Sequence, residues 1–104
     1  MKISITVFSV AGLLFAGSAM AVDMPADAKA YCAMCHAIDS KKVGPAWKDV
    51  AAKYRGNPDA EKIVIANITK GGAFGWKLST MPPRGMGASD AQIASLAKFI
   101  LALK

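Results

Sequence analysis

Residues 32–36 read C-A-M-C-H, a stretch that brings together both cysteines and the single histidine of the 104-residue chain. Two cysteines with two residues between them can form a redox-active disulfide, supply half of a zinc site, or attach a haem covalently. A histidine directly after the second cysteine has a defined role only in the third case, where it binds the iron. The remaining residues of the chain must therefore discriminate between three chemistries.

The disulfide and zinc interpretations both lack the partners that they require. A thioredoxin-type C-x-x-C lies where a strand meets a helix in an α/β fold, and this sequence shows no such βαβ pattern. A structural zinc site needs four ligands, usually including a second Cys/His pair. We therefore predict one covalently bound haem c per chain, with thioether bonds from Cys32 and Cys35 and with His36 as the proximal axial ligand.

A second axial ligand is expected from the methionines, the usual partners of histidine in haem proteins that transfer electrons. Met34 lies inside the attachment motif and Met24 precedes the first predicted helix, so neither is well placed. Met81 is followed by Pro82-Pro83, which stiffens the backbone beside it, whereas Met86 lies between two glycines. We favour Met81. Met86 as the ligand, or an open iron with Met81 packed in the core, are the alternatives.

Two further residues are candidates for contacts with the cofactor. A ligating imidazole usually donates its other N–H to a carbonyl, and the rigid backbone of Pro45, nine residues beyond His36, can offer that carbonyl. Trp76 carries an indole N–H that can reach a buried haem propionate. Simple packing of the Trp76 ring is the alternative interpretation.

The elements that position these residues are predicted to be helices, and the fold class is all-α. A short helix is expected from about Pro25 into Cys32. A second follows Gly44-Pro45, because apolar residues recur there at helical spacing, namely Trp47, Val50, Ala51 and Tyr54. Sustained period-two alternation, the signal of a half-buried strand, is missing from the sequence.

Two more helices are predicted in the second half of the chain. The third has Asn57 as its N-cap and Pro58 at its first position, and it ends at Gly71-Gly72. The last begins with a capping box, Ser89 with Gln92. It carries one apolar stripe made of Ile93, Leu96, Ile100 and Leu103. Residues 71–88 between these helices are rich in glycine and proline, and a loop of that length in a small domain usually carries function.

The first 21 residues have the pattern of a Sec-type signal peptide. Lys2 gives a positive start, residues 3–16 are apolar, and Ala19-Met20-Ala21 ends in a small-x-small cleavage pattern. We place the cut after Ala21, which leaves residues 22–104 as one mature domain in the periplasm. An uncleaved membrane anchor is the alternative, but the apolar segment is shorter than the roughly 20 residues that span a bilayer.

The charge of the chain is basic and spread along its length. Removing Lys2 leaves 12 of the 13 basic residues against 7 acidic ones, a formal charge of +5. Dispersed lysines argue against a nucleic-acid tail and favour a basic face that steers an acidic protein partner, with merely solvated lysines as the alternative. We expect no nucleic-acid partner and no stable membrane insertion after signal cleavage.

Several segments together resemble the small bacterial class I cytochromes c, which are single-haem periplasmic electron carriers. The resemblance covers almost all of residues 29–104. It rests on C-A-M-C-H, Gly44-Pro45, Trp76 five residues before Met81, and Met81-Pro82-Pro83. It implies three to five helices around one low-spin haem, with His36 and Met81 as axial ligands. It also implies that Pro45 accepts from the histidine and that Trp76 bonds a propionate.

Departures from that resemblance concern the first helix and the methionine loop, the name used here for residues 71–88. The family packs a bulky aromatic from the first helix onto the last helix, and here Tyr31 is the available substitute. The family often has an asparagine three residues after the ligand methionine, bonded to its sulfur. That position is Arg84 in this chain.

The function expected from these features is electron transfer by a soluble, monomeric carrier in a respiratory or related chain. Two occupied axial positions leave no room for a substrate, so we expect no enzymatic activity. A haem enzyme or gas sensor with an open sixth position is one alternative. A haem subunit of a larger oxidoreductase is the other.

Overall fold

A computed structural model describes residues 22–104 of the chain, and the predicted signal peptide lies outside these residues. Four α-helices follow one another in this part of the chain: α1 (Ala26–Tyr31), α2 (Trp47–Tyr54), α3 (Ala60–Lys70) and α4 (Asp90–Leu101). A short 3₁₀ segment, Pro83–Met86, lies between α3 and α4. Within residues 22–104 no helix is both long and apolar enough to cross a membrane.

The core is organised around α4, which contacts each of the other three helices. The predicted apolar stripe of Ile93, Leu96, Ile100 and Leu103 is buried, and Ile93 and Leu96 are fully so. The predicted capping box is present, with Ser89 accepting from the backbone of Gln92 while the Gln92 side chain accepts from the backbone of Ser89. The sequence therefore predicted both the start of α4 and its buried face.

The predicted start of α3 was wrong by two residues. Asn57 accepts a hydrogen bond from the backbone N–H of Asp59 at 2.8 Å, so it closes a turn of its own. The helix begins at Ala60 with Asp59 as its N-cap. Its end is as predicted, because Gly71 takes a positive φ of 70° at the C-cap.

The Gly/Pro-rich segment is more ordered than the sequence indicated. Gly72 and Met81 pair as an isolated antiparallel bridge, which brings the start and the end of the segment 72–81 together. The 3₁₀ segment follows, with left-handed backbone at Arg84 and Gly85. Tyr31, at the end of α1, packs beside this segment: a Cβ at Gly87 would lie 3.2 Å from its ring. The Tyr31 ring therefore fills space against the methionine loop.

Candidate functional site

One cleft brings together all six residues that the sequence predicted for a functional site: Cys32, Cys35, His36, Pro45, Trp76 and Met81. The space in and at the opening of the cleft, part of it open to solvent, amounts to about 880 Å³. Much of its remaining wall is apolar and includes Val50, Val64, Ile68, Leu96 and Ile100. Met86, the alternative ligand, does not line the cleft and is 80% exposed.

The cysteine motif is a tight turn that continues directly from α1. The backbone N–H of Cys32 donates to Ala28, and those of Cys35 and His36 both donate to the carbonyl of Cys32, at 3.1 and 2.9 Å. This turn places two thiols and one imidazole on the same cleft. Desolvation by burial, together with the nearby Cys35, raises the pKa of Cys32 to about 11.

The His36 imidazole is held by a hydrogen bond and by a close backbone contact. Its Nδ1 lies 2.9 Å from the carbonyl oxygen of Pro45. Because a carbonyl only accepts, Nδ1 must carry the proton, which leaves Nε2 of a neutral ring with a lone pair for a metal. Gly44 packs directly on the ring: a Cβ there would overlap Cε1 and lie 2.9 Å from both ring nitrogens.

Trp47 connects this imidazole to the core. It is 2% exposed, and its ring centroid lies 5.9 Å from that of His36 and 6.0 Å from that of Phe99 on α4. The backbone N–H of Trp47 also donates to Ala37, next to the histidine, at 3.0 Å. The orientation of the imidazole is therefore fixed by the same packing that joins α2 to α4.

Met81 is held chiefly through its main chain. Its N–H donates to Gly72 at 2.8 Å, and its carbonyl accepts from Gly72 at 3.0 Å. The neighbouring Gly71 packs so closely that a Cβ there would lie 2.8 Å from the nitrogen of Pro83. The end of α3 thus sets the position of the Met81 backbone, and the side chain lines the cleft.

Trp76 lines the cleft from the loop and is partly buried. The Lys53 ammonium lies 4.7 Å from the centroid of a Trp76 ring and donates to the carbonyl of Phe74 at 3.2 Å. A cation over an indole face is a favourable contact. Lys53 of α2 therefore holds the Trp76 segment against the body of the domain.

Sequence reasoning missed a polar pair in the cleft. Asn67 on α3 and Tyr54 on α2 both line it, and the Asn67 amide donates to the Tyr54 hydroxyl at 3.4 Å. The sequence did contain a signal for this pair. Asn67 is a polar residue three positions after Val64 on the buried face of a helix, and a buried polar side chain needs a hydrogen-bond partner. The contacts of Lys53 and of Gly44 had no such signal, because they depend on how separate segments meet.

The residues present suit a haem. The cleft combines a large apolar surface with two thiols, an imidazole whose Nε2 is available, and a thioether. A mostly apolar cleft of this kind favours an apolar ring over water. The remaining polar side chains of the cleft are few, namely Tyr54, Asn67, Trp76, Ser79 and Thr80. Fold and cleft together are those of a small helical haem protein. The roles of individual side chains as cofactor contacts stay predictions.

Comparisons with known proteins agree with this class of protein. The sequence profile of the Cytochrome c family matches residues 26–104. The chain is 44% identical over 98 residues to cytochrome c-552 of Nitrosomonas europaea, covering 93% of this chain and 92% of that one. It is 38% identical over 100 residues to cytochrome c-552 of Hydrogenobacter thermophilus, covering 96% and 94%. It is 45% identical over 73 residues to cytochrome c-551 of Pseudomonas aeruginosa, covering 70% and 68%.

The solved structures lead to the same family. The crystal structure of wild-type Nitrosomonas europaea cytochrome c552 superposes with a TM-score of 0.69 at 42% identity, covering 75% of this chain and 96% of that one. The chain belongs to the cytochrome c family, among the small class I cytochromes of the c-551 and c-552 type. This membership confirms the predicted all-α fold and the predicted haem c.

Gly44→Ala tests whether the close backbone contact sets the imidazole. Gly44 has no positive φ to lose, so the added methyl acts only by displacing the His36 ring. We expect the haem-loaded variant to lose about 1–3 kcal/mol of unfolding free energy, as overpacked cores do, and to show an altered visible spectrum. Denaturant unfolding and absorption spectroscopy measure the two effects.

Gly56→Ala is the contrasting control. Gly56 has a φ of 82° and would place a Cβ in open space, so alanine there strains the backbone without touching the cleft. It should reduce stability by about 1 kcal/mol with an unchanged spectrum. A Gly44→Ala protein with the stability and spectrum of the wild type would contradict the packing argument.

Proposed function

We propose that this chain is a soluble periplasmic electron carrier that passes one electron at a time through a covalently bound haem c. The observation that carries the proposal is the composition of one cleft. It joins the thiols of Cys32 and Cys35, the imidazole of His36 and the thioether of Met81 within apolar walls. The family supports it, since the relatives are small cytochromes c-551 and c-552.

In this proposal His36 and Met81 would bind the haem iron, and the thiols of Cys32 and Cys35 would attach the haem covalently. The haem supplies an iron that alternates between ferric and ferrous states. Pro45 and Trp47 would hold the His36 imidazole so that its Nε2 could bind the iron, while the hydrogen bonds to Gly72 would keep Met81 in place. Ligands that are held by rigid structure would move little when the charge of the iron changes, which favours rapid electron transfer.

The same arrangement argues against catalysis. An iron held by both His36 and Met81 would offer no position to a substrate. Trp76 is proposed to close one side of the cleft with its indole N–H directed to a propionate, with Lys53 over its ring. These residues retain the cofactor and exclude water, and they perform no bond chemistry themselves.

Replacing Met81 tests the ligand assignment. Met81→Ala should abolish the weak long-wavelength absorption band of the ferric protein, which arises from methionine–iron ligation. It should also let the reduced protein bind carbon monoxide rapidly, because the sixth position becomes open. Absorption spectra and carbon monoxide mixing experiments measure both effects.

Met86→Ala is the matched control, because Met86 is exposed and lies outside the cleft lining. It should keep the band and stay slow toward carbon monoxide. Loss of the band in Met86→Ala, or a wild-type protein that binds carbon monoxide at once, would exclude the proposed ligand and favour a gas sensor or enzyme.

We further propose an acidic redox partner that docks on the mouth of the cleft. Val43 lines the cleft and is 48% exposed, and exposed Lys41 precedes it by two residues. Exposed Lys77 follows Trp76 directly. Apolar surface bordered by cations fits a brief encounter steered by charge, which needs only a small interface.

The double variant Lys41→Glu/Lys77→Glu tests this surface. It should slow electron transfer to an acidic partner by about tenfold at low ionic strength, and the difference should fade as salt screens the charges. Stopped-flow kinetics over a salt series gives the measurement. Lys62→Glu/Lys104→Glu alters the net charge equally at exposed positions outside the cleft lining. Equal slowing by both double variants would show that net charge is the cause, and it would contradict the proposed docking surface.

The proposal includes export and a monomeric product. Residues 1–21 would be removed after Ala21, so the mature chain would begin at Val22 and carry one haem. Mass spectrometry of the periplasmic protein should give the mass of residues 22–104 plus one haem, and size-exclusion chromatography should give a monomer. A mass that includes residues 1–21 would contradict cleavage, and a larger particle would contradict the monomer.

A further inference from the structure

Arg84 directs its side chain to the start of α4. Its Nη1 lies 2.6 Å from Oδ1 of Asp90 and 3.4 Å from the carbonyl oxygen of Ala88. Arg84 does not line the cleft, although it follows Met81 by only three residues. The guanidinium therefore connects the methionine loop to the first turn of the helix around which the core is built.

The main chain of Arg84 reinforces the same connection. Its carbonyl accepts from the N–H of Gly87 at 3.1 Å and from that of Ala88 at 2.9 Å. Ala88 is only 3% exposed, so this end of the turn lies in the core. Backbone and side chain of Arg84 thus close one compact turn, and the ion pair with Asp90 fastens it to α4.

Met81 lies between two anchor points. On the side toward α3, its backbone is bonded to Gly72. On the side toward α4, Pro82-Pro83 links it to Arg84, and proline rings restrict the backbone of that link. A displacement of Arg84 is therefore transmitted to Met81 more directly than a flexible link would allow.

We propose that Arg84 is a positioning residue for Met81, whose ion pair with Asp90 holds the methionine loop closed over the cleft. The inference rests on the proposed function, because it takes Met81 to be the iron ligand. Both partners are on the surface, with the Arg84 side chain 40% and the Asp90 side chain 86% exposed. The effect is accordingly modest and sensitive to salt.

Competition with added imidazole measures how firmly the ion pair between Arg84 and Asp90 holds Met81 in place. Added imidazole binds the ferric iron only when Met81 leaves, so its apparent affinity reports how firmly the loop is closed. Arg84→Gln keeps a similar backbone preference at this left-handed position and removes only the guanidinium. Its affinity for imidazole should rise by about 1.5- to 5-fold, the range expected for an exposed ion pair.

Further variants separate the effect of the Arg84–Asp90 ion pair from a general effect of surface charge. Asp90→Asn should give a similar rise, and Arg84→Gln/Asp90→Asn should add little to either single change, because both remove the same contact. Arg84→Lys keeps a cation on a shorter side chain without the planar guanidinium, and its affinity for imidazole should be intermediate. Lys62→Gln, an exposed cation on α3, should leave the affinity unchanged. High salt should raise the affinity of the wild type toward that of Arg84→Gln.

The outcomes are distinct for the two proposals. A wild-type ferric protein without the long-wavelength band would overturn Met81 as ligand, and the positioning role of Arg84 with it. If the wild type has the band and Arg84→Gln binds imidazole no more tightly than the wild type does, only the positioning role of Arg84 is overturned. A rise in Arg84→Gln that Asp90→Asn does not share would also overturn the ion pair as its cause.

Discussion

The core and the cleft of this domain share a wall of buried apolar residues, and the rest of the structure depends on that constraint. Trp47, Val64, Ile68, Leu96 and Ile100 belong to the buried cluster and also line the cleft. A chain this short buries only a modest share of its surface on folding. A bound haem would complete the apolar interior, so cofactor binding and stability are aspects of one packing arrangement.

The two proposed ligands are held by different means. His36 is fixed through its side chain, by the carbonyl of Pro45 on one nitrogen and by aromatic packing on Trp47. Met81 is fixed through its backbone, by two hydrogen bonds to Gly72. An imidazole is flat and rigid, so packing can orient it. A thioether chain has three rotatable bonds, so fixing its backbone limits the positions that the sulfur can reach.

Much of this arrangement was predictable from the sequence, because it depends on local patterns. The capping box of Ser89 and the apolar stripe of α4 are periodic signals, and Gly71 marks the end of α3 by its backbone freedom. The start of α3 was misplaced, since Asn57 serves equally well in a turn or as a cap.

Contacts between distant segments had no comparable signal. The fit of Gly44 on the imidazole, the ammonium of Lys53 over Trp76 and the attachment of Arg84 to Asp90 follow from tertiary geometry.

The pairing of Gly72 with Met81 closes residues 73–80 into a loop. That loop includes Trp76 and contributes to the wall of the cleft. The pairing of its ends uses only the backbone of Gly72 and Met81, and no side chain between them. The outer surface of residues 73–80 could therefore vary without moving the backbone of Met81, so the surface offered to a partner could change independently of the proposed iron ligand.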